Sequence, residues 1–195
     1  RRRCVTGRPP HLHLPPLLRL APLPCTLLFK NTHTGTRSPV QFSLHKAVRE
    51  PDRVSCLAAV YACLKSGVDV NGQNAFGYSA LHVAAQLNSD PATVEAVIAA
   101  LVAEGADVSA KNGEFGTTPL HRAALNKTPV AATAAIEALL AHGAEIDEQD
   151  EDGEQPLHWA AKNDSPAAAE AAIQALVAAG AAVDAADLNG QQPLH

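Results

Sequence analysis

Apolar residues recur along this chain with the period of an amphipathic helix. Ile136, Leu139 and Leu140 follow the i, i+3, i+4 spacing that places apolar side chains on one helix face. The same pattern occurs in two further segments, at Ile98, Leu101 and Val102 and at Ile173, Leu176 and Val177. A longer helix is therefore predicted in each of these segments.

The residues that flank these segments predict where the longer helices begin and end. Thr128-Pro129 combines a favourable N-cap with proline at the first helical position. Gly143 follows the apolar stripe, where a left-handed C-cap is expected. The equivalent starts are Asp90-Pro91 and Ser165-Pro166, and the equivalent ends are Gly67, Gly105 and Gly180.

A shorter helix is predicted before each longer one. Thr118-Pro119 opens it, it continues to about Leu125, and Asn126-Lys127 ends it. After Gly143 the chain continues as an extended arm with a turn signal at Asp152-Gly153. One unit thus consists of a short helix, a loop, a longer helix and a hairpin-like turn, which we call the finger.

The unit repeats with a nearly constant period. A Leu-His pair recurs, and its histidines are separated by 37, 39, 37 and 37 residues. Such self-similarity marks a stacked array, whose long ribbed surface favours binding over catalysis. The five histidines are His45, His82, His121, His158 and His195.

Two strings of this sequence, Thr-Pro-Leu-His-Arg-Ala-Ala at 118–124 and Gly-Ala-Asp-Val at 105–108, resemble the ankyrin repeat. The resemblance covers roughly residues 40–195. It implies an all-α fold, an ankyrin-like α-solenoid of stacked helix-loop-helix-finger repeats, in which each histidine hydrogen-bonds between neighbouring motifs. The period exceeds the 33 residues of the family by about four, or one helical turn, and we expect the second helix to contain the extra residues.

Composition divides the chain into two parts. Residues 1–38 are basic and rich in proline, which is typical of a disordered tail, and residues 39–195 form the repeat array. Two other interpretations of the tail stay open: an organelle-targeting leader, or an error in the gene model, since the chain contains no methionine. The predicted units are 42–78, 79–117, 118–154 and 155–191, with a truncated fifth from 192.

Charge limits the class of partner. Residues 1–49 carry a net charge of +9 and residues 50–195 carry −14. The acidic array argues against nucleic acid and favours a protein partner with a basic and apolar segment. No run of 18 apolar residues occurs, so no membrane span is predicted. The predicted location is the cytoplasm, with an organelle as the alternative if the basic N-terminus is a leader.

Neither a metal site, a cofactor nor an active site is predicted. The histidines belong to successive units, whose separation far exceeds a metal–ligand bond. Cys56 and Cys63 lie two helical turns apart and are predicted to be buried thiols in a reducing compartment. The sequence lacks a glycine-rich phosphate loop, a nucleophile elbow and a His-Glu-x-x-His motif, so the array is predicted not to be an enzyme.

The predicted partner-binding residues lie at the finger tips and on the inner face of the short helices. Phe76 and Phe115 are expected to be exposed anchors, with packing on their own fingers as the alternative. The acidic tip of the third finger is either a partner contact or a solvated turn. Trp159, at the variable position after a histidine, is either buried packing or the best single anchor. The full set is Phe76, Phe115, Arg122, Asp150, Glu151, Asp152 and Trp159.

The sequence therefore predicts a protein–protein interaction scaffold or adaptor that binds its partner through the finger tips and the concave face. One alternative is a regulatory or docking segment of a larger enzyme or channel whose other domains lie beyond His195. A purely structural spacer is a third hypothesis. The sequence predicts no particular oligomeric state.

Overall fold

All regular secondary structure is helical within residues 44–193, which the computed structural model describes. Short and long helices alternate, so the predicted all-α architecture is confirmed. The predicted tail at 1–38 and His195 lie outside the described residues. The helices are α1 (Leu44–Ala47), α2 (Arg53–Lys65), α3 (Ala80–Leu87), α4 (Pro91–Ala103), α5 (Pro119–Ala124), α6 (Pro129–Ala141), α7 (Pro156–Ala161) and α8 (Pro166–Ala178).

The helices form two layers, one of short helices and one of long helices. In the first layer α3 packs against α1 and α5, and α5 packs against α7. In the second layer α4 packs against α2 and α6, and α6 packs against α8. Each unit thus contacts the units next to it in the chain, which is the architecture of a solenoid.

The core consists of aliphatic side chains and alanines. Leu101 of α4, Leu139 of α6 and Leu176 of α8 hold equivalent positions in successive units, and all three are fully buried. Six residues are buried in α4 and six in α6, whereas α8 buries only Ala168, Ala172 and Leu176. The outer face of α8 is therefore more exposed than the corresponding faces of the two preceding long helices.

The predicted helix starts are correct in position, but the capping group differs between them. Asp90 caps α4, because its Oδ2 accepts the Thr93 N–H at 2.9 Å. Thr128 precedes α6, yet its side chain makes no capping hydrogen bond. Instead the Thr128 N–H donates to Asn126 Oδ1 at 3.0 Å. The start of α6 therefore depends on proline and on Asn126 rather than on the predicted hydroxyl cap.

The long helices end as predicted, at a glycine in the left-handed region. Gly105 has a φ of 88°. Its N–H donates to the Val102 carbonyl at 2.9 Å, and the Ala106 N–H donates to the Leu101 carbonyl at 3.0 Å. These two bonds form a Schellman motif, which satisfies carbonyl groups that the helix end leaves without partners.

Adjacent fingers are joined to each other through the backbone. Within the third finger, the Asp150 N–H donates to the Glu154 carbonyl at 3.0 Å, and Asp150 Oδ1 accepts the Glu154 N–H at 2.9 Å. Two bonds then join fingers: the Glu151 N–H donates to the Phe115 carbonyl, and the Leu188 N–H donates to the Asp152 carbonyl, each at 3.0 Å. The second, third and fourth fingers are therefore held in a fixed row.

Both cysteines of α2 are buried. Burial raises the pKa of the Cys56 thiol and of the Cys63 thiol. The protonated form is thereby favoured, and with it the packing role expected of a small apolar side chain. The prediction of buried thiols is confirmed for these two residues.

Candidate partner-binding surface

Four of the repeated histidines bond to the backbone carbonyl that immediately precedes the next motif, and we call them the histidine ladder (His45, His82, His121 and His158). The Ser79 N–H donates to His82 Nδ1 at 3.2 Å, and the Ser79 hydroxyl lies 2.8 Å from the same nitrogen. Because a backbone N–H can only donate, Nδ1 must accept, and the ring proton is on Nε2. Nε2 therefore donates to the Thr117 carbonyl of the following finger at 2.9 Å.

The other ladder histidines repeat this geometry. The Nε2 atoms of His45, His121 and His158 lie 2.7, 3.0 and 3.2 Å from the carbonyl oxygens of Tyr78, Glu154 and Gln191. The role implied by the ankyrin resemblance is thus confirmed for the described histidines. Burial lowers the pKa of His82 to about 4 and also lowers the pKa of His121, so both rings are neutral near pH 7.

Another set of bonds, which sequence reasoning missed, uses asparagine to join one unit to the unit before it. Asn126 Nδ2 donates to the carbonyls of Ala85 and Asn88, at 3.0 and 2.9 Å. Asn163 Nδ2 does the same one unit later, with the carbonyls of Ala124 and Asn126. The signal in the sequence is an asparagine five residues after His121 and five residues after His158. For Asn126, the sequence alone predicts only the end of the short helix.

The finger tips present large apolar side chains to solvent. Phe76 is 66% exposed and Phe115 is 44% exposed, and each precedes a glycine with positive φ on its finger. Leu188 on the fourth finger is 77% exposed, and sequence reasoning missed it as a binding residue. Its signal in the sequence is an apolar residue between Asp187 and Asn189 at a predicted finger tip. Exposed apolar residues in a fixed row are a common feature of protein-binding surfaces.

Arg122 makes contacts within the array. Its Cζ lies 4.6 Å from the centroid of the Tyr78 ring and 6.0 Å from that of Trp159. Its Nη2 also donates to Gln86 Oε1, and burial lowers its pKa. Arg122 therefore ties neighbouring units together across the inner face, and its role in partner binding stays a prediction.

Trp159 is half-buried on α7, next to the third finger. Its indole N–H donates to Asp150 Oδ2 at 2.8 Å, and its ring meets His121 edge-on with 5.9 Å between centroids. Trp159 thus makes contacts within the array, and its role as an anchor for a partner stays a prediction. The predicted site residues Arg122, Asp150 and Trp159 lie together.

The acidic run of the third finger divides into two groups. Glu151 and Asp152 are exposed at the tip. Asp150 instead uses both carboxylate oxygens within the array, and the buried Glu154 forms an ion pair with Lys162. Only the exposed pair has carboxylates directed to solvent at the tip. Across residues 44–193, no group of three or more His, Cys, Asp or Glu is arranged to hold a metal ion.

Comparison with protein families gives an independent result. A family model for ankyrin repeats in three copies matches residues 44–150, and one for ankyrin repeats in many copies matches residues 131–173. The first match alone covers more than half of the chain. No match was found among curated proteins. None of the helices in the described range is long and apolar enough to cross a membrane.

Proposed function

The chain belongs to the ankyrin repeat family, whose repeats are generally protein–protein interaction modules, and from this premise we propose that it acts as a scaffold or adaptor. The partner contacts the finger tips and the concave face. A cytoplasmic location is part of the proposal, with an organelle as the alternative if residues 1–38 are a leader. The proposal assigns no catalytic role to the array.

One observation carries the proposal: exposed apolar side chains lie on fingers that are joined by backbone hydrogen bonds. Phe115 shows this directly, because its side chain faces solvent while its carbonyl accepts the Glu151 N–H. A surface that is already ordered loses little conformational entropy when it binds. The half-buried Trp159 supplies a second anchor on the concave side.

The test is affinity purification with the chain as bait, followed by titration of the purified partner. The double variant Phe115→Ala/Trp159→Ala should weaken binding by about 2 kcal/mol or more, as loss of hot-spot side chains does. Far-UV circular dichroism should show unchanged helicity, because both residues lie on the surface or at its edge.

A matched control removes apolar side chains elsewhere. Val54 and Val130 are exposed near the starts of α2 and α6, away from the fingers. The variant Val54→Ala/Val130→Ala should retain full affinity. Equal affinity of both double variants for the partner would refute the surface assignment. The absence of any captured partner would instead favour the structural-spacer hypothesis.

A further inference from the structure

An open cleft of about 570 Å³ lies between the second and third fingers, beside Trp159. We call it the acidic cleft. Its lining residues come from the arm before the second finger, the arm before the third finger and the first position of the turn into α7. The lining residues that matter here are Lys111, Glu145, Asp147, Glu148, Asp150 and Gln155.

We infer that the acidic cleft binds an arginine side chain of the protein partner. The inference rests on the proposed function and specifies the chemistry of the partner. It follows from three features of the cleft: its charge, an amide oxygen that lacks a hydrogen-bond donor, and the neighbouring tryptophan.

The charge of the cleft is strongly negative. Four carboxylates face one ammonium group, that of Lys111, so the net charge of the lining is −3. Lys111 already pairs with Glu148 at 2.6 Å and donates to the Gln149 carbonyl at 2.9 Å. Within the described residues Glu145 has no ion pair, and Asp147 uses only Oδ1, which accepts the Ala182 N–H at 3.0 Å. A cation entering the cleft therefore meets carboxylate oxygens that are not yet neutralised.

Gln155 differs from its equivalents in the two preceding units. The hydroxyl groups of Ser79 and Thr118 lie 2.8 Å from the Nδ1 atoms of their ladder histidines. The Gln155 side chain makes no hydrogen bond with His158 Nδ1, which accepts the Gln155 backbone N–H at 3.1 Å. The longer Gln155 side chain therefore does not take the place of the serine or threonine hydroxyl next to the ladder histidine, and it lines the cleft instead.

The Gln155 amide oxygen is a second and independent sign of a ligand. Gln155 is only 6% exposed, and Oε1 has no hydrogen-bond partner within residues 44–193. The His158 N–H is directed toward this side chain in a capping-box arrangement, but it makes its hydrogen bond with the Gln155 backbone carbonyl at 2.9 Å. A buried acceptor without a donor is costly, and a donor from a partner would remove that cost.

Arginine fits these acceptors better than lysine. The guanidinium is a planar fork with five donors, so it can bond to an amide oxygen and a carboxylate at the same time. Asp150 accepts the Trp159 indole N–H, which places the ring at the edge of the cleft. An apolar residue next to the arginine would therefore pack on Trp159 while the arginine enters the cleft.

Defined peptides test the inference without a known partner. The probe is a capped peptide with one arginine between two leucines, and the comparison peptide has citrulline in place of arginine. Binding to the full chain is followed by the fluorescence of Trp159, the only tryptophan in the sequence. The arginine peptide should give a saturable signal, and citrulline should weaken binding by roughly tenfold, the cost of losing charge-assisted hydrogen bonds. No saturation up to about 1 mM peptide would overturn the inference.

Variants locate the binding within the cleft. Gln155→Thr restores the residue type found at position 118, so the fold should persist, and it should weaken binding of the arginine peptide roughly tenfold. Glu145→Gln should weaken binding roughly threefold, and Lys111→Gln should tighten it by a similar factor, because the opposing charge is removed. Glu137→Gln, on the exposed face of α6, is the matched charge control and should leave affinity unchanged.

Two results would contradict the assignment to this cleft. One is unchanged affinity of Gln155→Thr, and the other is an equal loss in Glu145→Gln and Glu137→Gln, which would indicate unspecific attraction by the acidic array. If the arginine peptide fails while Phe115→Ala/Trp159→Ala still releases the cellular partner, the inference fails and the proposed function stands. If the peptide binds as expected and the double variant keeps its cellular partner, the inference stands and the proposed function fails.

Discussion

Asn126 and Asn88 hold equivalent places in neighbouring units but differ in their bonding. Asn126 satisfies two carbonyls of the preceding unit, whereas Asn88 Nδ2 is buried without a hydrogen-bond partner in the described residues. The two residues therefore form a natural pair for measuring what this inter-unit bond contributes.

Asn126→Ala should lower the free energy of unfolding by about 3 kcal/mol, since it leaves two carbonyls and the Thr128 N–H without their partner. Asn88→Ala should cost less than about 1 kcal/mol, because no side-chain donor bond is lost. Urea denaturation followed by circular dichroism measures both. Equal losses in the two variants would show that the asparagine bonds do not stabilise the stack.

The buried His82 should make stability depend on pH. Its pKa is about 4 in the folded chain, against about 6.5 when exposed, because burial, Arg122 and His121 all disfavour the charged ring. The unfolded chain thus binds the proton first as pH falls below about 6.5. Stability is complete above that value and is lost as pH falls toward 4, with about 2 kcal/mol lost from His82 by pH 5.

Urea denaturation at pH 7.5 and at pH 5 tests this, with His82→Gln as the comparison. Glutamine removes the titrating group and retains a donor and an acceptor, so the difference in unfolding free energy between the two pH values should shrink by about 2 kcal/mol. If His82→Gln shows the same pH dependence of stability as the original chain, that dependence comes from groups other than His82.

The role of a residue could be predicted from the sequence where the residue belongs to the repeated motif. It could not be predicted where the role depends on a contact with another unit. The histidine ladder followed from the resemblance, and the exposure of Phe76 and Phe115 followed from their place at the predicted finger tips. The Arg122–Tyr78 stack and the buried amide oxygen of Gln155 that lacks a partner both depend on how the units stack. No local pattern in the sequence encodes such contacts.

At the scale of the element, the fingers depend on glycine for two separate reasons. Gly77 and Gly105 both have positive φ. A Cβ at Gly105 would meet open space, whereas a Cβ at Gly77 would lie 2.7 Å from the Gly113 backbone nitrogen of the next finger. Backbone conformation alone constrains Gly105, while conformation and finger-to-finger packing together constrain Gly77.

Gly105→Ala should therefore cost about 1 kcal/mol of stability, the penalty of a left-handed alanine. Gly77→Ala should cost about 2 kcal/mol more, because backbone must shift to relieve the clash. Chemical denaturation of both variants gives the difference directly. If both variants lose the same amount, the fingers are not in the close contact described.

Element boundaries were the most predictable feature, because proline and glycine mark them chemically. The long helices begin at Pro91, Pro129 and Pro166, as the sequence indicates. The capping groups were less predictable, since the hydroxyls of Thr128 and Ser165 make no cap bond. The 39-residue unit has two extra residues, and one of them lies in α3 or the loop that follows it, since α3 has eight residues against six in α5 and α7.

At the scale of the molecule, the described chain is a row of units in which each is stabilised by its neighbours. Helices of the same layer contact only the next helix of that layer, and the asparagine bonds each cross one boundary. Stability should then rise with the number of units. The proposed binding surface extends along the same row, so its length also follows from this organisation.

The most direct test of this organisation is to insert a second copy of residues 118–154 after Glu154 and to measure the thermal unfolding of the lengthened chain. The copy brings its own helix pair, finger, ladder histidine and Asn126, so the inter-unit bonds can form on both sides. We predict one cooperative transition with a midpoint raised by roughly 5 °C. A lower midpoint, or loss of the cooperative transition, would contradict the account, because an array of units accepts a further member and a single shared core does not.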